Sequence, residues 1–441
     1  MQRALLATSL FCLTLTAPAR SQQVLQQAVV DGIAQKVDAK PYAGLPYRLT
    51  ARISVDTAQA GKSDAWIMVS AWGAKQQFLT VAYLPEKAVE KQWRVYTVRG
   101  KVPKQVDSLE IAGLAYLDGP FGFDDFKLEV ERRKGQWEPV LLRNSDFEGA
   151  LPASAMGIPA GWRSFYPTPS FVRQVATDGT GNRYFSLRGL HIVNYGRNPA
   201  AGRFATVNGT RIYYETYGQG EPLLLLHGNG ESISSFRQQL GALAREYRVI
   251  AVDTRDQGQS AATKGRLSYD LFADDMHALL EQLQVPAAHV VGWSDGGNTG
   301  LSMALRYPAQ VRSLVTMGAN LYADTTAVDP EMLQKVRKDR RMATLLSPFN
   351  QNFRKARRLN TMLLNYPQMT PVQLRTITAP VLVLAGEKDI IREAHTRLIA
   401  QNIPRGEVII LPGLTHYAPQ GNGPLFNETV LAFLRRQRSG Q

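Results

Sequence analysis

Hydrophobic and polar positions follow two rhythms along this chain. From Tyr47 to Val55 every second residue is apolar, and Ala65–Trp72, Phe78–Leu84, Arg94–Val102, Leu109–Tyr116 and Phe123–Glu131 follow between turn-rich separators. A period of two puts one face of a strand into a core, so evenly spaced short strands predict a β-sandwich. Val24–Lys36, ahead of them, reads as a short helix. From Phe204 onward strands and helices alternate. Phe204–Val207 and Arg211–Tyr217 form a hairpin pattern about Asn208-Gly209, and Leu223–Leu226 is an unbroken apolar run. Such a run suits a strand buried on both faces. Helical and strand patterns then take turns: Ile233–Ala244, Arg248–Val252, Tyr269–Leu283, a strand ending His289-Val290-Val291, Leu301–Arg306, Ser313–Met317, Val381–Ala385, Val408–Leu411 and Leu425–Arg435. The prediction is a multidomain chain: a β-sandwich over residues 24–188, a linker over 189–202, and a doubly wound α/β domain over 203–437. Residues 322–379 interrupt the alternation with a helical, basic stretch. An insertion there sits over the C-terminal strand ends, where α/β sheets bind ligands, and is read as a lid.

Composition changes the picture mainly at the start. Met1-Gln2-Arg3 is a basic n-region, Ala4–Thr16 an apolar stretch too short to span a bilayer, and Ala17-Pro18-Ala19 a small-residue cleavage site. Residues 1–19 are therefore expected to be a signal peptide, and the protein to be secreted or periplasmic. No later apolar run is long enough for a transmembrane helix. Cys12 is the only cysteine and lies in that signal, which leaves no disulfide, thiol nucleophile or cysteine-based zinc site. The formal net charge is +14, but no nucleic-acid-binding motif accompanies it, so a nucleic-acid partner is not expected. The cations of the insertion (Lys335, Arg337, Lys338, Arg340, Arg341, Arg354, Lys355, Arg357 and Arg358) suit a solvated helix face or an anionic substrate.

Candidate chemistry centres on Gly292-Trp293-Ser294-Asp295-Gly296-Gly297, between a strand and a helix. Glycines two residues either side of a serine permit a turn sharp enough to expose its hydroxyl. A serine needs a base, and the base an orienting acid. Asp389 follows the run Val381–Lys388 and His416 follows Val408–Thr415, so both stand at strand ends on the same sheet edge as Ser294. Glu387, two residues before Asp389, is the competing acid. The oxyanion is expected to meet the backbone amides of Asp295, at a helix N-terminus, and Asn229, in the turn His227-Gly228-Asn229-Gly230. His227 is read as a brace for that turn. Trp293, beside the nucleophile, is expected to contact substrate. No metal or organic cofactor is required.

His227-Gly228-Asn229-Gly230, Asp253–Ser260, the serine turn, Gly386-Glu387-Lys388-Asp389 and Pro412–His416, in this order, resemble the α/β-hydrolases. The serine turn with Met317-Gly318-Ala319-Asn320 resembles the biphenyl-hydrolase-like group, which includes valacyclovir hydrolase. The resemblance implies a serine hydrolase of small carboxylic esters. Because the residue after the nucleophile contacts the substrate amino group in that enzyme, it also implies that Asp295 binds substrate and favours amino-acid esters; that Asp295 caps or orients the serine turn is the equal alternative. A proline-iminopeptidase-like exopeptidase, a sugar-ester deacylase and a carbohydrate-binding protein with the hydrolase half as scaffold are the alternatives. In the first half, Phe121–Glu131 resembles the closing strand of galactose-binding-like jelly rolls, and Asn144–Glu148 with Pro159–Trp162 the opening strand. The segment 144–188 is then either a truncated second module or a return to the first. A carbohydrate or cell-surface ligand follows from the resemblance, although sandwich cores need aromatics too. Asp124, Asp125 and Glu148 show no calcium-ligand spacing.

Overall fold

A computed structural model of the protein describes residues 30–55, 64–74, 77–83, 92–116, 119–149, 157–165, 171–189 and 193–438. The expected signal peptide lies outside them. Contacts divide the chain into two units at Val193/Asn194.

The first unit is built of antiparallel strands: β1 Val30–Asp38, β2 Pro46–Val55, β3 Asp64–Trp72, β4 Phe78–Tyr83, β5 Arg94–Lys101, β6 Ser108–Tyr116, β7 Gly119–Arg133, β8 Gln136–Val140, β9 Arg163–Ser164, β10 Phe171–Thr177 and β11 Arg183–Gly189. One sheet has the order β4-β3-β6-β1-β9, the other β10-β11-β7-β2-β5 with β8 on β7. Ile33, Ile67, Val69 and Ile111 of one sheet share a core with Leu49, Ile53, Phe121 and Phe123 of the other. The alternation along β2 is regular, with Tyr47, Leu49, Ala51, Ile53 and Val55 buried. The helix expected over Val24–Lys36 is not formed where the chain is described: Val30–Asp38 is a strand, paired with β6 from Val30↔Tyr116 to Asp38↔Ser108. Asp31 through Gln35 are all buried in it. A strand covered on both faces has no two-residue alternation to betray it. Segment 144–188 returns to the first module. β11 pairs with β7 at Phe185↔Phe123, and Phe147, Trp162, Phe171 and Leu187 enter the same core. Arg48 lies over Trp137 at 4.4 Å and Arg52 over Trp93 at 5.1 Å, so a guanidinium covers one face of each ring.

The second unit holds one sheet of eight strands: β12 Gly202–Val207, β13 Thr210–Tyr217, β14 Glu221–Leu226, β15 Tyr247–Asp253, β16 Ala288–Trp293, β17 Val311–Met317, β18 Val381–Lys388 and β19 Gly406–Thr415. Their order is β12-β13-β15-β14-β16-β17-β18-β19. All neighbours are parallel from β15 through β19, and the β12–β13 hairpin runs antiparallel beside β15. Leu224, Leu226, Ile250, Val252 and Val290 enter one core, and Leu223, Leu225, Val249, Ala251 and Val291 the other. Both faces are thus buried, which explains the unbroken apolar runs. Helices α1 Arg237–Leu243, α2 Tyr269–Gln282, α3 Asp295–Arg306, α4 Pro330–Leu346, α5 Gln351–Asn365, α6 Glu393–Gln401 and α7 Gly423–Arg438 accompany the sheet, with α4 and α5 in the basic insertion. The expected linker is partly structured. The buried Glu215 carboxylate accepts hydrogen bonds from the amides of Gly196 (2.8 Å) and Asn198 (2.7 Å), which ties 194–201 to β13. No helix among the described residues is long and apolar enough to cross a membrane.

Candidate active site

The order in which successive strands are laid down reverses at β14, which has β15 on one side and β16 on the other. Such a switch point opens a crevice at the C-terminal strand ends. The turns after β14 and β16 meet there: a Cβ built on Gly228 would lie 3.4 Å from the Ser294 Cβ. Ser294 itself has φ 55 and ψ −114, outside the regions L-residues favour. Its amide donates to the Met317 carbonyl of β17 at 2.7 Å, and its carbonyl accepts from the Asn298 amide at 3.0 Å, fixing the turn from β16 into α3. A side chain at Gly292 would strike the Gly296 carbonyl, and one at Gly296 the Leu226 carbonyl. The glycines are therefore a steric condition of the turn.

The Ser294 hydroxyl lies 3.0 Å from His416 Nε2, and His416 Nδ1 lies 2.7 Å from Asp389 Oδ1. With Nδ1–H donating to the carboxylate, Nε2 is left to accept the serine proton. Asp389 is held in turn, with Oδ1 accepting from the Ile391 amide at 2.9 Å and Oδ2 from the Gly386 amide at 3.3 Å. Glu387 is exposed and accepts from the Gly413 amide at 2.7 Å, so it steadies the loop that carries His416. The His416, Asp389 and Ser294 side chains expected from the sequence are thus brought together.

The turn His227–Gly230 is braced from three directions. His227 Nδ1–H donates to the Gly228 carbonyl (2.8 Å) while Nε2 accepts the Thr254 amide (3.1 Å). Burial pushes this imidazole down to about 4, so it stays neutral and can play both parts. The Gly230 amide donates to Gln257 Oε1 at 2.5 Å. The Asn229 side chain donates to Asp295 Oδ2 at 2.8 Å, and Tyr269 donates to Oδ1 at 2.7 Å. Among the described residues the Asn229 amide donates to no protein acceptor, and Asp295 opens α3, where an amide has no carbonyl one turn back. Both donors expected for an oxyanion are therefore uncommitted.

Two side chains beside the nucleophile are buried. Trp293, expected to contact substrate, is 2% exposed and belongs to the core beneath β16; its Nε1–H donates to the His416 carbonyl at 2.8 Å. Alternation along β16 explains this, since Trp293 shares the inward face of Val291. Asp295 is also 2% exposed, with both carboxylate oxygens engaged as above. Burial pushes its carboxyl up to about 6, against the downward pull of the Tyr269 and Asn229 hydrogen bonds. Above that pH it is an ionised acceptor that holds the Asn229 side chain.

Sequence reasoning missed Tyr269, and it quoted Gln257 and Gly318 within motifs without giving either a role. Gly318 has φ +65, and a Cβ there would lie 2.6 Å from His416 Cε1 and Nδ1. Its sequence signal was a glycine just past a strand end. The insertion was also read incompletely. Arg358 pairs with Asp256 and donates to the Gly265 carbonyl, while Lys355, its pKa lowered by burial, faces Asp256 and Asp253. Leu359 and Met362 pack on Leu267, Tyr269 and Phe272. The insertion is thus anchored to the residues that hold Asp295.

The second unit is similar to known hydrolases. Residues 221–368 match the family model described as alpha/beta hydrolase fold. Serine hydrolase BPHL of Mus musculus is 28% identical over 248 residues, covering 52% of this chain and 84% of that protein. A 2-hydroxy-6-oxononadienedioate/2-hydroxy-6-oxononatrienedioate hydrolase of Burkholderia vietnamiensis is 30% identical over 271 residues, 51% of this chain and 91% of that protein. The crystal structure of an enol-lactonase from Burkholderia xenovorans LB400 is 22% identical with a TM-score of 0.45, covering 53% of this chain and all of that one.

Proposed function

We propose that this chain, which belongs to the α/β-hydrolase family, is a serine hydrolase of small carboxylic esters that works through an acyl-enzyme. The observation that carries the reading is the unbroken hydrogen-bond line from Ser294 through His416 to Asp389. His416 Nε2 takes the hydroxyl proton as Ser294 Oγ bonds to the carbonyl carbon, and the carbonyl π electrons move onto oxygen. The Asn229 and Asp295 amides stabilise that oxyanion; each such donor is typically worth about 10²–10³ in rate. On collapse, the alkoxide leaves with the proton from His416. Water then repeats the sequence and releases the acid. Asp389 holds the tautomer and stabilises the imidazolium throughout. The helical insertion acts as a lid over the crevice, and residues 1–19, read as an export signal, place the reaction outside the cytoplasm.

Asp295 acts here through Asn229 and Tyr269 rather than on a substrate ammonium, since its carboxylate is buried and both oxygens already hold those two side chains. A panel of p-nitrophenyl esters and matched anilides, with neutral and cationic acyl groups, tests both points. Esters are expected to turn over well ahead of anilides; faster anilides would favour an exopeptidase. Asp295→Ala is expected to lower kcat by about 10–100-fold on neutral and cationic acyl groups alike, as one oxyanion donor loosens. A selective loss on cationic acyl groups would instead make Asp295 their binding partner.

A further inference from the structure

Helices α4 and α5 form a hairpin whose inner side is used and whose tip is not. Leu333, Ala343, Leu359 and Met362 are buried. At the tip, Met342, Leu345, Phe349 and Phe353 are 52%, 70%, 86% and 36% exposed, four large apolar side chains within residues 342–353. Lys338, Arg341, Met342 and Leu345 fall on positions i, i+3, i+4 and i+7 of α4, so cations and apolar groups share one stripe. Residues 330–365 carry nine lysines and arginines against two acidic residues. Lys335 pairs with Asp339, while Lys355 and Arg358 face the acidic loop after β15. Arg337, Lys338, Arg340, Arg341 and Arg357 form no ion pair among the described residues.

Exposed apolar clusters of this kind mark interaction sites. The surrounding cations select the partner. A second copy of this tip would bring uncompensated cations against each other, which repels. An anionic bilayer offers an apolar phase for the four side chains and phosphates for the collar around them. We propose that the tip of the insertion, residues 342–353, docks on the surface of an anionic phospholipid membrane. Met342, Leu345, Phe349 and Phe353 enter the acyl boundary, and Arg337, Lys338, Arg340, Arg341 and Arg357 lie among the headgroups.

The test is co-sedimentation of the full chain with vesicles of phosphatidylcholine alone and of an equal mixture with phosphatidylglycerol. Binding to the mixed vesicles is expected, with little to phosphatidylcholine and a decline as salt rises. Arg337→Gln and Arg341→Gln should each weaken partitioning about five-fold, and Leu345→Ser with Phe349→Ser by at least ten-fold. Far-UV circular dichroism and thermal unfolding check that the variants fold. No binding to the mixed vesicles, equal binding to both kinds, or variants that partition like wild type would overturn the proposal. So would a concentration-dependent oligomer that the serine variants dissociate, with vesicles left unbound, which would assign the tip to self-association.

Discussion

Ser294→Ala is expected to lower kcat/KM for p-nitrophenyl acetate by on the order of 10⁴-fold or more while leaving thermal unfolding almost unchanged. The loss is large because the hydroxyl is the atom that bonds to the substrate, and nothing beside it can replace that bond. The unfolding temperature should hold because alanine meets the same backbone demand at φ 55 and gives up only the 3.0 Å hydrogen bond to His416. A small residual rate belongs to the oxyanion donors, which the substitution leaves in place. Steady-state kinetics and a thermal melt on the same preparation check both halves. Wild-type turnover by the alanine variant would remove Ser294 from the chemistry.

The second large effect is at Asp389. Asp389→Asn is expected to reduce kcat by about 10⁴-fold, whereas Glu387→Gln should leave kcat close to wild type. The Asp389 carboxylate accepts from His416, from the Ile391 amide and from the Gly386 amide at once. An asparagine offers a single acceptor oxygen and brings two donor hydrogens, so it cannot meet all three. The imidazole then loses the tautomer that leaves Nε2 free to accept the Ser294 proton. Glu387 has no such role, because its bond is to the Gly413 amide on the surface. Equal losses in the two variants would show that the loop, rather than the carboxylate, matters.

The α/β unit was legible because its central strands are buried on both faces. That burial writes unbroken runs such as Leu223–Leu226 and Val381–Ala385 into the sequence, and the residues just past them fall at the C-terminal edge. Ser294, Asp389 and His416 could be found that way. The same burial hid β1, where Asp31 and Gln35 lie inside beside Ile33 and Ala34, leaving no alternation to read. Trp293 was misplaced because its neighbour in sequence is the nucleophile, while the pleat sends it to the opposite face, under His416. The supports of the turn His227–Gly230 were out of reach for another reason. Tyr269 comes from α2 and Gln257 from the loop after β15, and only the closed sheet brings them to Asp295 and Gly230. In the first unit, the order of the motifs left open whether 144–188 began a new module. The pairing of β11 with β7 and of β9 with β1 decided for a single sandwich.

The central claim is that Ser294 is a nucleophile activated by His416. Its most direct measurement is treatment of the folded protein with a fluorophosphonate probe, followed by mass mapping of the modified peptide. One phosphonyl adduct on Ser294 is expected, absent from Ser294→Ala and strongly slowed in His416→Ala. A folded wild-type protein that takes up no probe, or takes it up on another residue, would contradict the account.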